Sequence, residues 1–154
     1  MELTELINKI TNELNTLLHK NKLALKEYQS IKLSTKNPNL TSILKEQLLE
    51  KETFIEELRE EILCLGGTLD GDNEFKNQSQ LKWINIKNPV FEKNHKVIFD
   101  EVVRGNLKAA SEYTHILKED ILPISTRLLL ENQLIGIKSV IREVKSIDAI
   151  KLAS

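Results

Sequence analysis

Apolar side chains recur along this chain in alternating steps of four and three, and the recurrence divides into four long stretches. Leu3, Ile7, Ile10, Leu14, Leu17, Asn21, Ala24, Tyr28 and Ile31 form the first seam. Its period of about 3.5 residues is one that an α-helix presents on a single face. A first helix is therefore expected from about Leu3 to Leu33. A second, about Pro38 to Leu65, carries Leu40, Leu44, Leu48, Ile55, Leu58, Ile62 and Leu65, with Phe54 beside them. A third, about Pro89 to Lys118, runs through Phe91, Ile98, Val102, Gly105, Ala109, Tyr113 and Ile116. The fourth, about Ile121 to Ile147, uses Leu122, Leu129, Gly136, Val140, Val144 and Ile147.

The residues that break helices sit where these stretches begin and end. Asn37-Pro38 and Asn88-Pro89 each read as an N-cap followed by proline at the first helical position, where the missing N–H costs nothing. Asp120 is placed to cap the fourth helix, with Pro123 inside its first turn. Gly66-Gly67 marks the end of the second helix. Each stretch would span roughly 40 Å or more at the usual helical rise, and long matched helices with one apolar stripe bury it best against one another. The expected fold class is all-α, a four-helix bundle forming a single domain over residues 1–154.

Connection lengths then set the topology. Helices 1 and 2, and helices 3 and 4, are joined by a few residues and must form antiparallel hairpins. The link from Gly66 to Asn88 is longer and includes a short helix expected from about Gln78 to Lys87. Its length suits a crossover along the bundle, which makes helices 2 and 3 parallel, as in ferritin-like folds. A plain up-and-down bundle results instead if that segment folds back locally.

Composition removes several function classes. With 40% hydrophobic residues among 154, the chain can build one core without disulfides or metals. Lys and Arg total 22 against 23 Asp and Glu, so no global field favours nucleic acid or an anionic membrane. No stretch reaches the roughly 18 apolar residues of a membrane span. The N-terminus Met1-Glu2-Leu3-Thr4-Glu5 has neither a basic segment nor a long apolar one, so a cytoplasmic protein is expected. Cys64, the lone cysteine, lies in the run Ile62-Leu63-Cys64-Leu65 and reads as a small buried hydrophobe. Glycine-rich phosphate loops, His-Glu-x-x-His and paired cysteines do not occur. The short basic cluster His19-Lys20-Asn21-Lys22 has no interleaved aromatics to make a nucleic-acid groove.

Candidate chemistry gathers at mid-bundle. Folding each hairpin about its turn sets Asn21 opposite Lys51 and Gly105 opposite Gly136. Glycine inside a helix costs about 1 kcal/mol relative to alanine, so two at one level point to close backbone approach or to room kept for a bulky neighbour. Asn21, Glu50, Lys51, Glu101 and Gln133 share that level. The first reading is a polar layer of Asn21, Lys51 and Gln133 that fixes helix register. The second is a variant di-metal site of iron or manganese type, in which Glu50 and Glu101 are the carboxylate ligands and Gln133 stands nearby. The third has both glutamates pointing to solvent. Glu92-x-x-His95 and Glu112-x-x-His115 match the metal-binding pair but lie on one helix, twenty residues or about 30 Å apart, and cannot share an ion. Helices 2 and 4 contain no histidine, and His19 reads as a boundary residue. Trp83, Phe75 and Phe91 either staple the crossover to the bundle or form an exposed apolar patch.

Several of these residues together resemble a known family. Glu50-Lys51 through Leu58 to Leu65-Gly66-Gly67, Trp83-x-x-Ile86-Lys87, Glu101-x-x-Arg104-Gly105 with Ala109 and Tyr113, then Leu122-Pro123 and Gln133 occur in that order across nearly the whole chain. The pattern is similar to a family of bacterial ferritin-like four-helix-bundle domains of unknown function, distantly akin to the YciF-like stress proteins. The resemblance implies a ferritin-like fold, a tendency to associate and a stress-related role. Where that family commonly has Asp-Gly, Arg, Glu and His, this chain has Lys20-Asn21, Lys51, Asn106 and Ile141, which removes potential ligands. The expected protein is a non-enzymatic homodimer without a cofactor, acting through protein association. The alternative is a metal-binding oxidase or storage protein with a degenerate central site.

Overall fold

The computed structural model describes residues 2–71, 81–86 and 95–153, with side chains described as far as Ile147, and four long helices run through these residues. They are α1 (Leu3–Ser34), α2 (Pro38–Cys64), α3 (His95–Leu117) and α4 (Ile124–Ala153). The bundle is all-α, with no strand among the described residues. The apolar seams of α1, α2 and α3 turn inward as their periodicity requires, with Leu14, Tyr28, Leu44, Leu58, Val102 and Tyr113 at most 1% exposed. At the start of α2 the Asn37 side chain accepts a hydrogen bond from the Leu40 N–H at 3.0 Å, with Pro38 in the first turn. The helix ends in a two-bond glycine cap: Gly66 N–H donates to Leu63 O and Gly67 N–H to Ile62 O. Gly66 adopts a left-handed φ of +83°, and a Cβ on Gly67 would lie 2.7 Å from a Thr11 methyl of α1.

The sequence expectations for α4 and for Cys64 are corrected. Helix α4 begins at Ile124, not Ile121, and Pro123 stands just outside it with its carbonyl accepting the Arg127 N–H at 3.0 Å. The proline ring disfavours helical geometry at Leu122, so the helix starts only after it. In the first half of α4 the buried positions are Thr126, Leu130, Gln133 and Ile137, one residue later than Leu129 and Gly136, which like Leu122 are only half-buried; Val140 and Val144 are buried as expected. Gly136 lies on the edge of the stripe that faces α2, beneath Glu50 and Phe54. Cys64 is exposed, not buried. It follows the fully buried Ile62 by two residues, roughly 200° around the helix, which places it on the solvent face.

Cross-helix hydrogen bonds fix the directions. Asn21 meets Tyr113 and Tyr28 meets Asn106, so α1 and α3 run antiparallel. Glu61 accepts from Ser125, and Gln133 donates to the Phe54 carbonyl, so α2 and α4 also run antiparallel. With α1 and α2 joined as a hairpin, α2 and α3 must be parallel, and the order around the bundle is α1, α2, α4, α3. The long link between α2 and α3 is therefore a crossover. Its described part, residues 81–86, lies against α3 with Trp83 and Ile84 buried. A Cβ on Gly105 would come within 2.6 Å of the Trp83 carbonyl oxygen, so this glycine opens α3 to the crossover backbone, not to Gly136. Trp83 staples the crossover. The Asn88-Pro89 cap, Phe75, Phe91 and Glu92 lie outside the described residues, as do positions 78–80 and 87 of the short helix expected from Gln78 to Lys87; residues 82–86 are described and are not helical, because this stretch lies extended against α3.

Candidate functional site

The seams bring polar side chains from every helix to one level of the core. On α1, Asn21 is fully buried and donates to Leu17 O at 2.8 Å and to the Tyr113 hydroxyl of α3 at 3.1 Å. That hydroxyl donates to Gln133 Oε1 of α4 at 2.6 Å. Gln133 Nε2 then donates to Phe54 O at 3.3 Å and Glu57 Oε1 at 3.2 Å on α2. One chain of hydrogen bonds thus passes through all four helices. A second rung joins Asn106 of α3 to the Tyr28 hydroxyl of α1 at 3.1 Å. Burial raises the pKa of both tyrosines, so their hydroxyls stay protonated across the physiological range.

Lys51 occupies the seam of α2 at this level and is 1% exposed. Its ammonium lies 5.0 Å from the Phe54 ring centroid and 5.8 Å from that of Trp83, and Nζ has no hydrogen-bond partner. Ring faces attract a cation but replace only part of its hydration. Burial accordingly lowers its pKa to about 8, with Glu50 pulling the other way. Glu50 is half-buried; burial raises its pKa, opposed by Lys51 and by a hydrogen bond with Gln47. Its Oε1 is buried without a hydrogen-bond partner, and a Cβ on Gly136 would lie 3.0 Å from it. Asn21 Oδ1 and Gln47 Oε1 are likewise buried acceptors without a partner.

Glu101 turns elsewhere. Its carboxylate holds the Arg104 guanidinium, with a contact of 2.9 Å, and accepts the Asn85 N–H at 3.1 Å. Arg104 in turn donates to the Trp83 carbonyl at 3.0 Å. Glu101 is thus engaged with the crossover, while Glu50 faces α4. His115 is exposed, and His95 lies 3.4 Å from the Asn37 amide nitrogen. His19, expected at the boundary, is buried.

In ferritin-like proteins, four-helix bundles with this crossover topology hold a di-metal centre between their helices. Such a centre draws on several inward carboxylates and on imidazoles. Amides, phenols and an ammonium fill the buried part of this layer, the Glu50 and Glu57 carboxylates stand only at its half-buried or exposed α2 edge, and the ammonium repels a divalent ion. Among the described residues no three His, Cys, Asp or Glu side chains form a group able to hold a metal. The residues present do not fit a di-metal centre. A groove of about 530 Å³ opens between α1 and α2, lined by residues such as Lys22, Lys26, Ile55 and Arg59 and not by Lys51.

Sequence reasoning missed Tyr28, Asn106 and Gln47 as members of the layer. Tyr28 stood in the first seam, where its hydroxyl required a buried partner; that requirement was the available signal. Gln47 falls beside its seam without such a mark, and Asn106 is marked only by the family resemblance, as the position where a glutamate is common.

Comparison with known proteins places this geometry. The family profile described as Domain of unknown function (DUF2383) matches residues 9–119. No curated protein matches the sequence. The structure superposes with a TM-score of 0.76 on a dodecameric thioferritin, the bacterioferritin-related protein from Bacteroides fragilis, covering 96% of this chain and 89% of that one at 14% identity. At that identity the likeness is one of fold.

Proposed function

We propose, for a chain that belongs to the DUF2383 family of domains of unknown function, a non-enzymatic role in which a ferritin-like bundle acts through protein association. One observation carries this reading: the fully buried Lys51 ammonium sits at the level where a metal-dependent bundle would gather carboxylates. A resident cation makes the core self-contained, and the hydrogen-bond chain through Asn21, Tyr113 and Gln133 serves to set helix register. The thioferritin that shares the fold is dodecameric, and the proposal takes from it association alone, with a homodimer as the unit. A stress-related role belongs to the same reading and rests on the family resemblance; a cytoplasmic setting is proposed beside it.

The alternative is a metal-binding oxidase or storage protein of iron or manganese type. It is favoured by the unpartnered buried Oε1 of Glu50, beside which Glu46 and Glu143 also lie. Elemental analysis of protein purified without chelator separates the two. The expected result is iron, manganese and zinc well below one per chain, with identical thermal melts in the presence and absence of EDTA. Stoichiometric metal that is lost in a Glu50→Gln variant would overturn the proposal.

A further inference from the structure

Helix α4 carries two seams. The inner one, Thr126, Leu130, Gln133, Ile137, Val140 and Val144, faces the core. On the opposite side Ile124, Leu128, Glu131, Ile135, Lys138 and Arg142 follow one another in steps of four and three, and all six are exposed. Ile124, Leu128 and Ile135 are 79%, 55% and 63% exposed. Side chains at this spacing stand in one line and present a surface that another helix can pack against. The exposed apolar residues described on the other helices stand farther apart along their faces. Leu3 and Leu33 stand at opposite ends of α1, Thr53, Glu56 and Glu60 separate Leu49 from Leu63 on α2, and Asp100 and Arg104 separate Val97 from Leu107 on α3.

We infer that the outer seam of α4 is a homodimer interface, on which the same seam of a second copy docks antiparallel about a two-fold axis near Ile135. This deepens the association reading and rests on it. The charges choose the partner. Glu131 lies on one side of Ile135 and Lys138 and Arg142 on the other. A two-fold axis at Ile135 brings Glu131 of each copy opposite position 139 of its mate, between Lys138 and Arg142. The two Ile135 side chains meet on the axis, and each Leu128 meets the aliphatic stem of an Arg142. A parallel pairing would instead oppose like charges at Glu131, Lys138 and Arg142, which repels. A self-complementary stripe is what a two-fold interface demands.

The test uses the full chain and light scattering over a range of concentrations, with circular dichroism confirming that each variant folds. Wild type is expected to dimerise. Ile135→Asp should raise the dissociation constant about thirty-fold or more, as expected for a central apolar anchor. Glu131→Lys should weaken the dimer, and adding Lys138→Glu and Arg142→Glu should restore it. Ile135→Cys in a Cys64→Ser background should be joined into a covalent dimer by a short bismaleimide, whereas Cys64→Ser alone should not. A dimer that survives Ile135→Asp unchanged overturns the assignment of this surface and leaves association standing. A wild-type chain that is monomeric at every concentration overturns the association reading itself.

Discussion

Lys51 shows how a single side chain can cost stability in a structure that nevertheless keeps it. Its pKa of about 8 lies below the usual 10.5, so between those values the unfolded chain binds more protons than the folded one. Stability therefore rises with pH through that window as the folded state sheds the proton. Tyr28 and Tyr113 act oppositely. Their pKa values are raised above the usual 10.0, so the unfolded chain loses its phenolic protons first and stability falls above about pH 10. Lys51→Met retains the length of the side chain while removing the buried charge. It is expected to stabilise the fold at pH 7 by about 1 to 4 kcal/mol and to abolish the rise between pH 8 and 10. Urea unfolding at closely spaced pH values measures both. A destabilised variant with the slope unchanged would mean that the ring faces of Phe54 and Trp83 solvate the ammonium adequately.

Within the elements, two helix-interior glycines that look alike in the sequence have different work. Gly105 of α3 lies under the crossover, where a new Cβ would meet Ile84 Cγ1 at 2.5 Å and the Trp83 carbonyl oxygen at 2.6 Å. Backbone cannot swing aside as a side chain can, so Gly105→Ala is expected to cost about 1 to 3 kcal/mol. At Gly136 of α4 the nearest atoms are the carboxylate end of Glu50 at 3.0 Å and the tip of the Phe54 ring at 3.2 Å. Small rotations relieve these contacts, and alanine gains about 1 kcal/mol of helix propensity, so Gly136→Ala should be close to neutral. Thermal melts of the two variants side by side decide it: equal effects would show that the crossover backbone is not what Gly105 admits.

For the whole molecule, the polar layer is what ties one hairpin to the other. Tyr113 bonds to Asn21 on α1 and Gln133 on α4, and its ring lies 6.2 Å from that of Trp83 in the crossover. The crossover is also pinned by Arg104 and Glu101 and by the Lys82–Glu27 ion pair at 2.7 Å. Neither hairpin nor crossover is then expected to melt alone. Trp83, the sole tryptophan and 2% exposed, reports on the crossover, while circular dichroism reports on the helices. The two signals should trace the same unfolding curve. A tryptophan transition that precedes the loss of helix would show that the crossover detaches as a separate unit.

The sequence by itself determined the four helices, their hairpins, the caps at Asn37 and Gly66-Gly67 and the presence of Asn21, Lys51 and Gln133 at one level. These follow from periodicity, local backbone chemistry and chain length between turns. Tertiary structure alone decided which edge of the α4 stripe is buried, because a seam read one helix at a time spans roughly 100° and only the neighbours select its centre. It decided too that Cys64 faces solvent and that Glu101 turns toward the crossover while Glu50 faces α4. A carboxylate's partner depends on which backbone the fold lays beside it, and no spacing along a single helix records that.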